Sequence, residues 1–265
     1  MTYLAFLESL LADAGRTVMT LPRRMSVRIK DADANQVVTA ADIAIGNQLK
    51  SRIHQEYPDD SIIDEESDAV HGKSPITWII DPIDGTSNFT AGSLLFGIMV
   101  GILKDGKPVA GGVALPALGE TYVAEAGQGA YCNGDRLGIK GDGDLSGELL
   151  AYGIDIHPDE IDLDCRILAD LGSRSRGIRM SNCIFDCMMV AKGVYGAFIH
   201  RHNRVWDCVA AHVVIEESGG VFSAVDGSAL NYTDPLTKTA ENFSILACGP
   251  GFHEAITGVV RQQSN

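Results

Sequence analysis

The chain of 265 residues is 45% hydrophobic, enough for one large folded unit, and its net charge of −14 excludes a nucleic-acid polymer as partner. No apolar run approaches the ~20 residues that span a bilayer, so we expect no membrane segment. The stretch Met1–Leu11 contains Glu8 and no basic cluster, unlike a signal peptide, and we expect a cytoplasmic protein.

The first half of the chain alternates helical and strand patterns. Leucines at helical spacing predict an opening helix to about Met19, and Thr39 is a suitable N-cap for a second helix that Pro58 ends. Between these helices, Arg23–Gln36 is polar and predicts a loop. The elements expected next are a strand over Ser61–Asp64, a turn over Asp68–Pro75, the strand Trp78–Ile80, and a meander over Phe96–Leu103, Val109–Leu115 and Thr121–Ala124.

Glycine and aspartate accumulate between Gly138 and Gly147. We predict a boundary there between an N-terminal half, 1–140, and a C-terminal half, 141–265, within one compact unit. The elements expected in the second half are strands over Leu149–Ile154, near Ile178, over Ala197–His200 and over Phe243–Ala247, and helices over Asp159–Leu171, Ser181–Lys192 and Asp207–Ser218. Sheets layered with helices predict an α/β (α+β) sandwich.

The stretch Trp78–Phe89 combines a strand end with a charged turn. Its first three residues are an apolar, β-favouring run, and Pro82, which has no N–H, predicts the end of that strand. Asp81 and Asp84 then share one turn, where two carboxylates ~4 Å apart at an effective dielectric of ~20 repel each other by about 4 kcal/mol. Protonation of one carboxylate, screening by solvent or a cation between the two would relieve this repulsion, and a cation would give the turn a function. The alternative is a surface turn in which Asp84 caps a helix.

Three motifs in order carry a family resemblance. They are Glu65-Glu66-Ser67 after a strand, the run Trp-Ile-Ile-Asp-Pro-Ile-Asp-Gly-Thr-Ser-Asn-Phe over Trp78–Phe89, and Trp206-Asp207 before a helix that Gly219-Gly220 ends. The pattern resembles the inositol monophosphatase family of magnesium-dependent, lithium-sensitive sugar phosphatases. The resemblance implies a five-layer αβαβα sandwich, a homodimer, and hydrolysis of a small phosphorylated metabolite with two or three Mg²⁺ ions per site.

The resemblance also implies the metal ligands. Glu65, Asp81 and the Ile83 carbonyl would hold a first Mg²⁺, and a weaker third ion would lie near Glu65. The second Mg²⁺ would be held by Asp81, Asp84 and Asp207. All of these ligands are oxygens, which suit a hard cation.

Catalytic and substrate-binding roles follow from the same resemblance. Thr86, oriented by Asp42 and assisted by Glu65, would position and deprotonate the attacking water. The backbone N–H groups of Gly85 and Thr86 would hold the phosphate. The residues implied in substrate binding are Asp84, Gly85, Thr86, Ser181, Asn182, His200, Arg201 and Asp207.

The alcohol half of the substrate is the least constrained by the sequence. Inositol-specific members of the family carry a glutamate near the position of His200, and other members act on fructose 1,6-bisphosphate, histidinol phosphate or adenosine bisphosphate. Arg201 and Arg204 add positive charge near Asp207 and favour a doubly anionic substrate. The alternatives are that both arginines only neutralise nearby acids, and that His200 and His202 form a zinc site.

Three other classes of protein fit the sequence less well. A covalent aspartyl phosphatase needs Asp-x-Asp-Gly-Thr, whereas here one further residue separates Asp81 from Asp84. A calcium-binding module needs alternating acids and a distal glutamate, which do not follow Asp81. A catalytically inactive regulatory relative would lack a ligand residue, and none is missing. Lys30 and Asp31 are offset from the lysine in the family's first motif, so we assign them no role.

Overall fold

The computed structural model describes residues 2–23, 28–30, 33–139, 141, 144–156 and 158–264, with the backbone alone over 28–30 and 33–37. The helices are α1 (Tyr3–Val18), α2 (Ala40–Glu56), α3 (Thr86–Ala91), α4 (Ile161–Arg174), α5 (Ile184–Ala191), α6 (Val205–Glu217) and α7 (His253–Ser264). The strands are β1 (Arg28–Lys30), β2 (Asp33–Val38), β3 (Ser61–Asp64), β4 (Ser67–Val70), β5 (Ile76–Asp84), β6 (Gly97–Lys104), β7 (Lys107–Leu115), β8 (Glu120–Glu125), β9 (Gly129–Cys132), β10 (Asp135–Arg136), β11 (Leu149–Gly153), β12 (Gly177–Arg179), β13 (Ala197–Asn203), β14 (Val221–Ser223) and β15 (Phe243–Cys248).

Helix α2 begins at the predicted cap. The Thr39 hydroxyl accepts a hydrogen bond from the Asp42 N–H at 3.4 Å, and the Asp42 carboxylate accepts one from the Thr39 N–H at 2.8 Å. This reciprocal arrangement is a capping box, which satisfies backbone donors that the first turn leaves open. It also fixes the side chain of Asp42 at the start of the helix.

The larger sheet has eight strands in the order β10-β9-β8-β7-β6-β5-β3-β4. Strands β3 and β5 are parallel, with Ile63 opposite Ile79, and the other neighbours are antiparallel. Because parallel strands end at the same edge, Glu65 lies beside the end of β5, and its N–H donates to the Ile80 carbonyl at 3.2 Å.

The smaller sheet has five strands in the order β12-β11-β13-β15-β14. Strand β11 is parallel to both β12 and β13, and β15 is antiparallel to its neighbours β13 and β14. The ends of β11, β12 and β13 therefore meet at one edge. The segments that follow these strands come from widely separated parts of the chain and are brought side by side there.

The helices and sheets form five layers around three apolar cores. Helices α1 and α2 cover one face of the larger sheet, α5 and α6 lie between the two sheets, and α4 and α7 cover the outer face of the smaller sheet. The αβαβα sandwich expected from the family resemblance is confirmed. No helix within the described ranges is long and apolar enough to cross a bilayer.

The structure differs from the sequence prediction at two polar segments. The loop predicted over Arg23–Gln36 contains β1 and part of β2, which pair antiparallel with each other. The turn predicted over Asp68–Pro75 contains part of β4, which pairs with β3 as an edge strand and is mostly exposed. An exposed edge strand such as β4 has no buried face to impose alternation of apolar and polar residues, so its segment resembles a loop in sequence.

Asp31 lies outside the described residues, and Lys30 is described by its backbone alone. The strands of the larger sheet lie within 61–136 and those of the smaller sheet within 149–248. The division of the chain into halves at 140 stays a prediction.

We expect any side chain at position 111, which is glycine in this chain, to disrupt the packing of α6 against the larger sheet. A Cβ there would lie 2.7 Å from the Ala210 carbonyl oxygen, which belongs to the helix backbone and cannot rotate away. Gly111→Ala should therefore lower the free energy of unfolding by about 1–3 kcal/mol. Urea denaturation measures this effect.

Gly258→Ala is the matched control. Gly258 is exposed in α7, and a Cβ there meets no atom within 4 Å. Alanine favours a helix interior over glycine by about 1 kcal/mol, so this variant should be more stable than the wild type. Equal stability of the Gly111→Ala variant and the wild type would contradict the packing described here.

Candidate active site

Strand β5 ends in a bulge that aims two carboxylates at one cleft. Asp81 lies opposite Met99 and Asp84 lies opposite Gly97, so three residue steps on β5 face two on β6. Residues three apart in a regular strand face opposite sides, whereas the bulge lets Asp81 and Asp84 both line the cleft. Pro82 lies inside the bulge, where a missing N–H is tolerated. The prediction that the strand ends at Pro82 was therefore wrong.

Gly85 joins this bulge to α3. Its φ of 77° is in the left-handed region, and a Cβ there would lie 2.9 Å from the Cβ of Cys183. Glycine is therefore required for conformation and for the close approach of the residues that precede α5. The Asn88 side chain donates to the Ser181 carbonyl at 2.8 Å and reinforces that approach.

Three carboxylates meet at the centre of the cleft. One oxygen from each of Asp81, Asp84 and Asp207 lies within 4.8 Å of the others. Asp81 is 1% exposed, and its buried Oδ1 accepts no hydrogen bond from any described residue. Burial raises the pKa of Asp81 well above its ordinary value, and the neighbouring carboxylates, Glu65 first among them, raise it further.

Backbone donors from two helices moderate the repulsion within this carboxylate triad. Burial raises the pKa of Asp84 to about 7, although a hydrogen bond from the Ile184 N–H lowers it. Burial also raises the pKa of Asp207 to about 7, although the Arg204 N–H donates to its Oδ2 at 2.5 Å. Ile184 is the first residue of α5, and Asp207 lies in the first turn of α6, where a helix dipole favours a carboxylate.

The triad fits a hard metal cation. All of its ligand atoms are carboxylate oxygens, and Asp81 Oδ1 is a buried acceptor without a donor among the described residues, which a bound cation would satisfy. Glu65 and Ile83 line the same cleft, and the charge of Glu65 raises the pKa of both Asp81 and Asp84. Glu65 is not part of the triad. The predicted metal ligands therefore form a compact group, Asp81, Asp84 and Asp207, and a second group, Glu65 and the Ile83 carbonyl, that lines the same cleft.

A hydroxyl is held at the edge of the triad. The Oγ1 of Thr86 lies 3.1 Å from Asp42 Oδ1 and 2.9 Å from the Ile83 carbonyl oxygen, and it donates its single proton to one of them at a time. Asp42 is 1% exposed, and burial raises its pKa although hydrogen bonds from Thr39 and Thr86 lower it. The capping box of α2 therefore fixes the position of Thr86.

The opposite wall of the cleft comes from the second half of the chain. His200 Nε2 lies 3.0 Å from Asp155 Oδ2, and His202 Nε2 lies 2.9 Å from Glu160 Oε2. The Asn182 side chain accepts from the Ile154 N–H at 2.7 Å. These residues and the carboxylate triad enclose about 650 Å³, enough for a small metabolite.

Most of the predicted site residues line this cleft. Those that do are Glu65, Asp81, Ile83, Asp84, Gly85, Thr86, Asn182, His200 and Asp207. Asp42 lies behind Thr86. Ser181 and Arg201 do not line the cleft.

Arg201 does not line the cleft, and nearby acids neutralise it. Its Nη2 lies 2.7 Å from Glu160 Oε2, and its Nη1 lies 3.0 Å from Asp164 Oδ1. Arg201 Nη2 and His202 Nε2 contact the same oxygen, Glu160 Oε2, so the guanidinium lies beside the rim of the cleft. The structure favours the alternative reading of Arg201, as a residue that neutralises nearby acids.

Sequence reasoning missed the acids of the segment after β11. Asp155, Asp159 and Glu160 line the cleft beside His200 and His202. A signal was present, because Asp155 comes just after a strand, as Glu65 does, and ligand sites in α/β proteins form where the ends of parallel strands meet. Using that signal requires knowing that β11 and β13 are neighbours.

Comparisons with known proteins agree with this geometry. A model of the inositol monophosphatase family matches residues 2–265. A protein from Aquifex aeolicus named fructose-1,6-bisphosphatase/inositol-1-monophosphatase is 30% identical over 88% of this chain and 85% of its own. A histidinol-phosphatase from Chlorobaculum parvum is 30% identical over 82% of this chain and 86% of its own. The solved structure of the Thermotoga maritima IMPase aligns with a TM-score of 0.87 at 27% identity, covering 100% of this chain and 98% of that one.

The layered fold, the acidic cleft and these relatives define a phosphoric monoester hydrolase. The chain belongs to the inositol monophosphatase family. The family resemblance read from the three sequence motifs is confirmed.

We expect Asp81→Asn to stabilise the metal-free protein. The pKa of the Asp81 carboxyl is raised in the folded state, so the folded protein loses stability as the pH rises above about 4, the ordinary range of the group. An uncharged amide removes that loss. In EDTA at pH 8 the midpoint of thermal unfolding should rise by about 5 °C, and the difference should shrink as the pH falls toward 4.

Asp162→Asn provides the control, because Asp162 is exposed on α4 and lies outside the cleft. Its unfolding midpoint should match that of the wild type at both pH values. An unchanged or lower midpoint for Asp81→Asn at pH 8 would argue against carboxylate repulsion in the triad.

Proposed function

We propose that the protein hydrolyses a small sugar or polyol phosphate, such as inositol monophosphate, in a Mg²⁺-dependent reaction. The observation that carries this proposal is the unpartnered, buried Oδ1 of Asp81 within the carboxylate triad. A protein that only needed a stable fold would gain by replacing such a group with a neutral one. Its presence is best explained by a cation that neutralises the triad and bridges it to a phosphate.

The metal ligands proposed are the two sets predicted from the sequence. Asp81, Asp84 and Asp207 would hold one Mg²⁺, and Asp81, Glu65 and the Ile83 carbonyl another, with a weaker third ion near Glu65. When bound, such ions neutralise the charge that develops on a phosphate and activate water as a nucleophile. The Thr86 hydroxyl would then donate to Asp42, which leaves the Ile83 carbonyl open to the metal.

The protein groups around the metal site have separate tasks. Thr86 and Glu65 would hold the attacking water on one side of the phosphorus, and Asp42 keeps the hydroxyl of Thr86 in place. The N–H groups of Gly85 and Thr86 stand at the start of α3, where the helix itself offers them no partner, and would bind phosphate oxygens. In-line displacement then sends the alcohol to the opposite side, toward Asp207 and the wall of the second half.

The names of the relatives do not identify the alcohol half of the substrate. One is named for fructose 1,6-bisphosphate and inositol 1-phosphate, and another for histidinol phosphate. Release of phosphate should be measured on these esters and on adenosine 3′,5′-bisphosphate, with Mg²⁺ and with EDTA. We expect Mg²⁺-dependent turnover of at least one ester. No turnover of any of them in Mg²⁺ would contradict the proposal and favour a catalytically inactive relative.

Further properties of the family are proposed for this chain. Li⁺ would inhibit by replacing the Mg²⁺ held by Asp81, Asp84 and Asp207. The protein would form a homodimer and act in the cytoplasm on a small phosphorylated metabolite. The dimer rests on the family resemblance.

We expect the hydroxyl of Thr86 to matter for the chemical step. Thr86→Val keeps the shape of the side chain and removes the group that lies 3.1 Å from Asp42. Positioned proton transfer contributes about 10²–10⁴-fold, so kcat should fall by about that factor while KM changes little. Thr86→Ser retains the hydroxyl and should keep most of the activity. Equal activity of the valine and serine variants would show that this hydroxyl has no part in the reaction.

A further inference from the structure

The turn that carries Glu65 is a two-residue hairpin loop without the usual backbone geometry. Strand β3 ends at Asp64 and β4 begins at Ser67, and these two residues lie opposite each other. Loops of this length favour a positive φ at the first loop residue, because the twist of the loop then matches that of the flanking strands. Neither Glu65 nor Glu66 has a positive φ. The backbone of this turn therefore does not fix its own shape.

Two other hairpins of the larger sheet do have the favoured geometry. The loop between β6 and β7 has a φ of 50° at Asp105 and of 72° at Gly106. The loop between β9 and β10 has a φ of 50° at Asn133 and of 86° at Gly134. Asp-Gly and Asn-Gly are the pairs that such loops prefer. The β3–β4 turn contains two glutamates instead, so other contacts must hold it.

The carboxylate of Asp64 supplies these contacts. Its Oδ1 accepts a hydrogen bond from the Glu66 N–H at 3.3 Å, and its Oδ2 accepts one from the Ser67 hydroxyl at 2.9 Å. The Nζ of Lys50 lies 2.6 Å from Asp64 Oδ2 and donates to the Ser67 oxygen at 2.6 Å. Asp64 is 4% exposed. One buried carboxylate thus binds both the loop and the first residue of β4.

Helix α2 packs closely around this carboxylate. A Cβ on Gly46 would lie 3.0 Å from Asp64 Oδ2 and 3.2 Å from the Cγ of Pro82. Lys50 lies one helical turn after Gly46, on the same side of α2. Pro82 belongs to the bulge of β5 that brings the triad's first two carboxylates to the cleft. The carboxylate of Asp64 therefore lies close to both the Glu65 turn and this bulge.

The ion pair of Lys50 and Asp64 lies outside the cleft. Neither residue lines it, whereas Glu65, the next residue in the chain, does. A change to this ion pair therefore alters no group that would contact the metal or the substrate. It acts only on the support of the turn.

We propose that Asp64, paired with Lys50, is a positioning residue that holds the turn so that the Glu65 carboxylate can take part in metal binding. The proposal rests on the metal-dependent phosphatase function proposed above and on the place of Glu65 in it. Residues that hold a metal ligand in position contribute about 10–100-fold to metal affinity.

Titration of the substrate-free protein with Mn²⁺, followed by the EPR signal of the free ion, tests the proposal without relying on activity. Glu65→Gln identifies the class of bound Mn²⁺ that depends on the Glu65 carboxylate. The double variant Lys50→Met/Asp64→Ala removes the ion pair and leaves neither charge unpaired. We expect it to weaken the same class of Mn²⁺ by about tenfold and to leave the remaining Mn²⁺ unaffected.

The variant Lys50→Met/Asp64→Asn separates positioning from charge. An amide still accepts from the Glu66 N–H and donates to the Ser67 hydroxyl, so this variant should bind Mn²⁺ more tightly than its alanine counterpart. Equal losses in the two variants would show that only the charge of Asp64 matters, and would overturn the positioning role. If the alanine variant does not fold, Ser67→Ala decides. It should weaken the same class by about threefold, and an unchanged affinity would overturn the proposal.

Lys192→Met/Glu120→Ala is the matched control. It removes a lysine–carboxylate pair with the same separation of 2.6 Å, and neither residue lines the cleft. Its Mn²⁺ binding should equal that of the wild type. Thermal unfolding in EDTA should be measured on both double variants. A lower unfolding midpoint of Lys50→Met/Asp64→Ala with unchanged Mn²⁺ binding would show that the ion pair only stabilises the fold.

The positioning role and the phosphatase function fail in different ways. If Glu65→Gln weakens Mn²⁺ binding and Lys50→Met/Asp64→Ala does not, the positioning role alone is wrong. If Glu65→Gln has no effect on Mn²⁺ binding, the assignment of Glu65 to the metal site is wrong together with the positioning role. If the wild type binds no Mn²⁺ at millimolar concentration, the metal-dependent function is wrong as well.

Discussion

The crowding of three carboxylates, one buried and two half-buried, within 4.8 Å of one another is the constraint on which the site depends. Like charges at this spacing repel, and Asp81 Oδ1 has no hydrogen-bond donor among the described residues. Folding alone gains nothing from such a cluster. The triad is therefore a place where stability is given up for the binding of a cation.

The architecture around the triad limits that loss. Helices α5 and α6 lie between the two sheets, and both begin at the cleft. Their first turns bring the Ile184 and Arg204 N–H groups to Asp84 and Asp207. Because the central helices of this layered fold start at one edge, they offer N–H donors and favourable dipoles where β5 and α6 contribute acids.

The sequence predicted the inner part of the site better than its outer wall. The motif around Asp81 and Asp84 is continuous in sequence, and the cap at Thr39 follows from local hydrogen bonding. Both could therefore be predicted from residues that are neighbours in the chain. The pairing of Arg201 with Glu160 and Asp164 depends on contacts between segments about 40 residues apart, which the prediction did not foresee. The approach of Asp155 to His200 depends on the pairing of β11 with β13, which no local pattern encodes.

The central claim is that the triad holds a divalent cation. Crystals of the wild-type protein grown with Mn²⁺, which scatters anomalously and stands in for Mg²⁺, test it most directly. The account predicts an anomalous peak within about 2.0–2.4 Å of oxygens from Asp81, Asp84 and Asp207. Full-occupancy Mn²⁺ elsewhere, with none at the triad at millimolar concentration, would contradict it.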